Sequence, residues 1–133
     1  MIKRLQAVVE HPFHKYLGIS EVGSEDGNGS MTFIAGKKFI NPAGVLHGGI
    51  IYVLCDVCSY AGLLSILPPE KEAFTHDISI SIIRAAKLDD VVKIKSHIVK
   101  LGKTLCFADA TATVSGDIIA TARVTKSLVT IKK

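Results

Sequence analysis

The chain has no tryptophan and only three Tyr and five Phe among its 133 residues. Proteins that grip nucleic acids commonly stack bases on aromatic side chains, and no RNA- or DNA-binding motif is present, so that class is set aside. Cysteine is also scarce. Cys55, Cys58 and Cys106 are too few, and odd in number, for a disulfide scaffold. Cys55 and Cys58 spell C-x-x-C, but no second pair or histidine cluster completes a zinc site. All three lie in apolar context and read as buried free thiols in a reducing compartment, so no metal is expected. Met1-Ile-Lys-Arg begins with charge but lacks the apolar stretch of a secretory leader, which makes the cytoplasm the expected location. Repeats, low-complexity tracts and linkers are absent, and the length suits one domain over residues 1–133.

What is present is a long apolar run that carries a single charge. Residues 48–67 hold twenty positions and only Asp56 is charged. The run is long enough for a membrane span. Its glycines, serines and two tyrosines, and the β-rich remainder of the chain, favour the buried centre of a globular domain instead. The formal net charge of +4 is uneven: residues 1–83 carry six basic and eight acidic side chains, residues 84–133 ten and four. A basic second half fits an anionic partner, here a phosphate-bearing small molecule.

The periodicity predicts a short helix over 3–9, ended by His11-Pro12, with Phe13 to Leu17 as a connector. Strands follow at Leu17 to Val22 and Gly29 to Ala35, joined by a turn through Ser24–Gly29. After a loop over Phe39 to Leu46, a helix starts near His47 and runs to about Leu67, where Pro68-Pro69 stops it. In Ala73 to Ile83, Ile78, Ile80 and Ile82 face one way and Thr75, Asp77, Ser79 and Ser81 the other. Val91 to Lys100 turns Val92, Ile94, Ser96 and Ile98 inward. Thr104 to Val114 puts Cys106, Ala108, Ala110 and Ala112 on one face, and Ile118 to Leu128 aligns Ile118, Ala120, Ala122 and Val124. A sheet wrapped around one helix buried nearly all round is an α+β fold, with the last three strands a meander.

Leu46-His-Gly-Gly49 stands where that helix begins. Its unpaired N–H groups and positive dipole end could stabilise an oxyanion; equally, the glycines could serve close helix–sheet packing. Asp56 reads as a nucleophile or general base, or as a structural carboxylate bonded to a neighbour. Nine residues separate His47 from Asp56, ~13 Å of helix, so one carboxylate cannot reach a carbonyl held at its own helix N-terminus. If the two act together, they do so across a dimer interface.

At these residues the chain resembles the hotdog-fold acyl-CoA thioesterases of the phenylacetic-acid-degradation type. The matching text is Asn41-x5-His47-Gly-Gly49-x6-Asp56, with Thr75-x-Asp77 and Leu101-Gly-Lys-Thr-Leu105, over roughly residues 13–130. The resemblance implies a hotdog fold and hydrolysis of acyl- or aryl-CoA to free acid and CoA. It implies that the Gly48 N–H polarises the thioester carbonyl and that Asp56 of the facing subunit attacks it or activates water. It also implies that Asn41 orients the water or the carboxylate, that His47 holds the thioester end, and that Thr75 supports Asp56 where relatives carry Ser. Lys100, Gly102, Lys103, Thr104 and Leu105 correspond to a CoA-contacting turn; read alone, they are also an ordinary charged hairpin. Arg84, Lys87 and Lys126 are placed on the basic surface, and His11, His14, His76 and His97 at structural or surface positions. The implied assembly is a homodimer as minimal active unit within a homotetramer, with no cofactor, membrane span or nucleic-acid partner. A non-catalytic acyl-CoA-binding module is the alternative. A hotdog hydratase would pair its His and carboxylate at a different spacing.

Overall fold

The computed structural model describes residues 2–131; Met1, Lys132 and Lys133, two of the basic residues counted above, lie outside it. Two helices lead, α1 (Lys3–Glu10) and α2 (Pro12–Leu17), followed by strands β1 (Ser20–Glu25) and β2 (Asn28–Ile34). A 3-10 turn over Lys37–Phe39 precedes the central helix α3 (Gly48–Leu64). Four strands complete the chain: β3 (Lys71–Ile82), β4 (Val91–Leu101), β5 (Leu105–Val114) and β6 (Asp117–Thr130). All six strands form one antiparallel sheet in the order β1-β2-β4-β5-β6-β3. The expected meander is present as β4-β5-β6, and β3 lies at one edge of the sheet. This α+β arrangement is the hotdog fold.

Phe13 to Leu17 is a helix rather than a connector. Pro12 takes the first helical position, where its missing N–H costs nothing; the His11 side chain accepts from the Phe13 N–H, and Gly18 closes the helix in the left-handed region. The β1–β2 turn is tighter than the sequence suggests. Asp26 and Gly27 both have positive φ (50° and 80°), the signature of a two-residue type I′ hairpin.

Helix α3 lies on the concave face of the sheet. Ile51, Leu54, Cys55, Cys58, Ala61, Gly62, Leu63 and Leu64 are buried against it. The helix is not buried all round, however. Tyr52, Val53, Asp56, Val57 and Tyr60, three and four residues apart, form a stripe that stays half-exposed or exposed. Contact with the sheet is closest at Gly29 and Gly62. A Cβ built on Gly29 would stand 2.2 Å from the Cys58 carbonyl oxygen, and one on Gly62 would stand 2.6 Å from the Gly29 nitrogen. Ser96 Oγ donates to the Cys58 carbonyl (2.9 Å) and Ser24 Oγ to the Ala61 carbonyl (2.5 Å), tying helix to sheet at the same place.

Two β-bulges overturn part of the expected facing. The β3–β6 register shifts between Thr75 and Asp77, with His76 as the extra residue. Alternation therefore restarts there, and Thr75 shares the inward face with Ala73, Ile78 and Ile80 rather than the outward face with Asp77 and Ser79. The β5–β6 register shifts between Ala112 and Thr113, so Ile119 is buried beside Ala120 and Ile118 is exposed.

Candidate active site

Asp56 stands mid-helix in the open stripe of α3, and Thr75 and Lys126 reach it from the sheet. Thr75 Oγ1 donates to Asp56 Oδ1 (2.5 Å). Lys126 Nζ donates to the same oxygen (3.0 Å) and to Thr75 Oγ1 (2.6 Å). Asp56 Oδ2 has no protein donor among the described residues, and the side chain keeps 36% of its exposure while that of Lys126 keeps 3%. One carboxylate oxygen thus takes both protein donors and the other none, and the side chain lines an open cleft of about 420 Å³ with His14, Val57, Tyr60, Phe74, Thr75 and Lys126, among others.

Lys126 is not part of the basic surface. In β6 it follows Ala120, Ala122 and Val124 on the inward face, and it pairs across the sheet with Thr75 on one side and Cys106 on the other. That parity was the available signal: two residues beyond Val124, the inward position is a lysine. Its ammonium also lies 5.5 Å from the centre of the Tyr60 ring. Tyr60 donates to Glu72 Oε1 (2.8 Å), and burial, then the Glu72 carboxylate, push its phenol above the usual range. His14 joins the cleft from α2 with its Nδ1 2.7 Å from the Val8 carbonyl oxygen, a role the sequence did not signal.

The remaining expected residues gather elsewhere. His47 is the N-cap of α3 with an exposed side chain that makes no cap bond, and Gly48 and Gly49 are the first helical residues. Neither glycine N–H has an acceptor among the described residues, as the first turn of a helix predicts. Asn41 shapes the loop that leads there: its Oδ1 accepts from the Ala43 N–H (2.9 Å) and the Val45 N–H (3.2 Å). That oxygen is occupied, and only the amide NH2 remains for other work. The His47 N–H donates to the Phe39 carbonyl (3.0 Å), and Leu46 N–H to Ala86 (2.9 Å), so the helix entrance is anchored. Eight residues separate Gly48 from Asp56, about 12 Å of helix, so the two do not meet within one chain.

The turn over Lys100–Leu105 lies beside the Asp56 end of the sheet: Leu105 pairs with Ser127, next to the Cys106–Lys126–Thr75 row, and the Thr104 carbonyl accepts from Leu128 (2.8 Å). The Gly102 N–H is spent on the Leu105 carbonyl (2.8 Å), while Lys100, Lys103 and Thr104 are exposed. Arg84 pairs with Asp117 at 3.3 Å on the surface, far along the sheet from this turn. A larger cleft of about 600 Å³ lies beside the outward-facing Lys95, His97 and Asp109; Asp109 pairs with the neighbouring Arg123 and lies 4.0 Å from His97. His76 Nδ1 lies 2.7 Å from Ser127 Oγ on the same outer side.

The C-x-x-C thiols are sealed in the core. Burial pushes Cys55 up to about 12 and Cys58 up to about 11. Among the described residues no three His, Cys, Asp or Glu side chains converge as a metal site would require, and no helix is long and apolar enough to cross a membrane.

An antiparallel sheet curled around one central helix is the fold of the hotdog thioesterases. A family profile described as "Thioesterase superfamily" matches residues 43–121, and the chain belongs to that superfamily of thioester hydrolases. It is 34% identical to human acyl-coenzyme A thioesterase 13 over 87% of this chain and 84% of that protein. The mouse protein of the same name is 37% identical over 69% of this chain and 66% of its own length. Among solved structures, a hypothetical thioesterase from Streptococcus pneumoniae with coenzyme A superposes with a TM-score of 0.77 at 30% identity, covering 85% of this chain and 88% of that one. A Streptococcus mutans protein bound to acetyl CoA gives 0.78 at 29%, covering 86% and 91%. A Haemophilus influenzae thioesterase shares the fold with a TM-score of 0.87 at 21% identity, covering 100% and 93%.

Proposed function

We propose that the chain hydrolyses acyl- or aryl-CoA thioesters to the free acid and CoA, with Asp56 as the reacting carboxylate. One observation carries this reading: Asp56 lines an open cleft with Oδ2 free of protein donors among the described residues, while Thr75 and Lys126 hold Oδ1. The relatives named for acyl-coenzyme A and the streptococcal structures with coenzyme A and acetyl CoA support CoA as the carrier.

In the general-base form, water adds to the thioester carbonyl carbon and its proton passes to Asp56 while the C=O pair moves onto oxygen. The carbonyl then re-forms, the C–S bond breaks, and the departing sulfur takes the proton. In the nucleophilic form, Asp56 Oδ2 adds first, thiolate leaves, and water opens the resulting anhydride. Both forms need donors for the oxyanion, and the free Gly48 N–H supplies one. Because ~12 Å of helix separates it from Asp56, the Gly48 in question belongs to a second copy of the chain. The half-open stripe of α3 and the edge strand β3 are the surfaces by which two copies would meet about a two-fold axis, with a dimer of such dimers as the full assembly. Asn41, through its free amide NH2, and His47 would then face the thioester of the neighbouring site. Lys100 and Lys103, exposed beside Thr104 on a turn shaped by Gly102 and Leu105, suit the CoA phosphates.

The test is a panel of acyl- and aryl-CoAs with thiol release as the readout, repeated with Asp56→Asn. Turnover should fall at least ~10²-fold on that change. Undiminished turnover would remove Asp56 from the mechanism, and tight binding without turnover across the panel would favour a non-catalytic module.

A further inference from the structure

Lys126 is the only charged residue buried among the described ones. Its neighbours along the inward face of β6, Ala122, Val124 and Leu128, are apolar, and a leucine or methionine would continue that row at no cost in desolvation. Stability therefore does not explain a lysine here. A buried ion pair often adds nothing over an apolar side chain of the same volume, and Asp56, being part-exposed, can find water.

The geometry points to Lys126 as a positioning residue that selects which oxygen of Asp56 reacts. This rests on the reading of Asp56 as the reacting carboxylate. A carboxylate at mid-helix can turn about two side-chain bonds, and its oxygens are chemically equivalent until something distinguishes them. Thr75 alone would leave that rotation available, since a single hydroxyl can follow either oxygen. Lys126 removes the freedom by donating to Asp56 Oδ1 and to Thr75 Oγ1 together, closing a three-membered ring of contacts at 2.5, 3.0 and 2.6 Å. With its Nζ on the Thr75 oxygen, the threonine hydroxyl hydrogen has only Asp56 to donate to. The ammonium also lies 5.5 Å from the centre of the Tyr60 ring, whose own hydroxyl donates to Glu72 Oε1 (2.8 Å). A chain of contacts thus runs from Glu72 through Tyr60 and Lys126 to the carboxylate, whose Oδ2 has no protein donor among the described residues.

The experiment compares Lys126→Met, which keeps the length and loses the charge, with the parent and with Asp56→Asn. The Met side chain suits its apolar neighbours, so the melting temperature should stay near the parental value. An angstrom of misplacement costs up to ~10²-fold in rate, so kcat should fall by about that factor while KM stays within about threefold. In the Asp56→Asn background the same change should alter the rate by less than about threefold, because the lysine acts through the carboxylate. Equal losses in both backgrounds, or a kcat within threefold of the parent, would overturn the role. Should Lys126→Met fail to fold, Lys126→Arg enters the same comparison. A crystal structure of the variant decides the matter without turnover: Asp56 should lose its single orientation, and Oδ1 still held on Thr75 in one rotamer would count against the proposal. If the parent turns over no acyl-CoA, the hydrolase reading fails while the crystal structure still reports on Lys126.

Discussion

Thr75 owes its place at Asp56 to one extra residue. Without His76 as a bulge its hydroxyl would point to the outer face with Asp77 and Ser79. With the bulge it stands 2.5 Å from Asp56 Oδ1. Hydrogen bonds to charged groups contribute about 1.5–3 kcal/mol, and tenfold in rate corresponds to ~1.4 kcal/mol. Thr75→Val, which keeps the branched shape, should therefore lower kcat by roughly ten- to a hundredfold, and Thr75→Ser should restore most of it. Thiol-release kinetics on the three proteins check this; a Val variant as active as the parent would mean that the hydroxyl only fills space. Serine retains the donor without the methyl, so its recovery separates the hydrogen bond from the packing.

At the scale of elements, helix α3 and the sheet touch most closely through Gly29 and Gly62, and there a methyl group has no room. A Cβ on Gly29 would meet the Cys58 carbonyl at 2.2 Å and one on Gly62 the Gly29 nitrogen at 2.6 Å, both backbone atoms that cannot swing away. Gly62→Ala gains helix propensity but must push helix and sheet apart, and overpacking of this kind costs about 1–3 kcal/mol. Denaturant unfolding of Gly29→Ala and Gly62→Ala should show losses of that size; a Gly62→Ala protein more stable than the parent would mean that the contact relaxes easily. The elements themselves were largely legible in the sequence. An apolar run closed by Pro68-Pro69 marked α3, and strict alternation marked β4 and β5, whose inward rows Val92–Ile94–Ser96 and Cys106–Ala108–Ala110–Ala112 are buried. Asp56 and Thr75 were legible as a pair because the chain resembles a known family. Lys126 was not, since a lysine reads as surface until its strand's parity is followed to the end. The bulges at His76 and Ile119 were invisible because a period of two assumes unbroken register, and one inserted residue inverts every position beyond it. Helix α2 was missed because six residues are too short for periodicity to register, although Pro12 and Gly18 bracket it correctly.

For the whole molecule, Gly48 and Asp56, proposed to act together, stand ~12 Å apart along α3 and cannot serve one site in one chain, which makes the proposed assembly testable by complementation. Gly48 is the first helical residue, with His47 before it already extended at φ −54°, ψ 130°. Proline is tolerated at that position and lacks an N–H, so Gly48→Pro deletes the proposed oxyanion donor and leaves the helix in place. Among the described residues, the flexible end of Ile82 is what the added carbon would meet, at 3.1 Å from a Cβ. Loss of one oxyanion donor costs ~10²–10³-fold in kcat, and Asp56→Ala should be as severe. When equal amounts of the two variants are dissociated and reassociated at random, about half of the dimers contain one copy of each. If Asp56 of one copy works with Gly48 of the other, each such dimer has one site with both groups and one with neither. The mixture should then recover about a quarter of the parental activity, far above either variant alone. If both groups belonged to one chain, every site in the mixed dimer would lack something, and the mixture would stay at the average of the two variants. Activity measured before and after reassociation, with subunit exchange followed by mass spectrometry on one tagged copy, separates these outcomes and decides whether α3 contributes to one active site or to two.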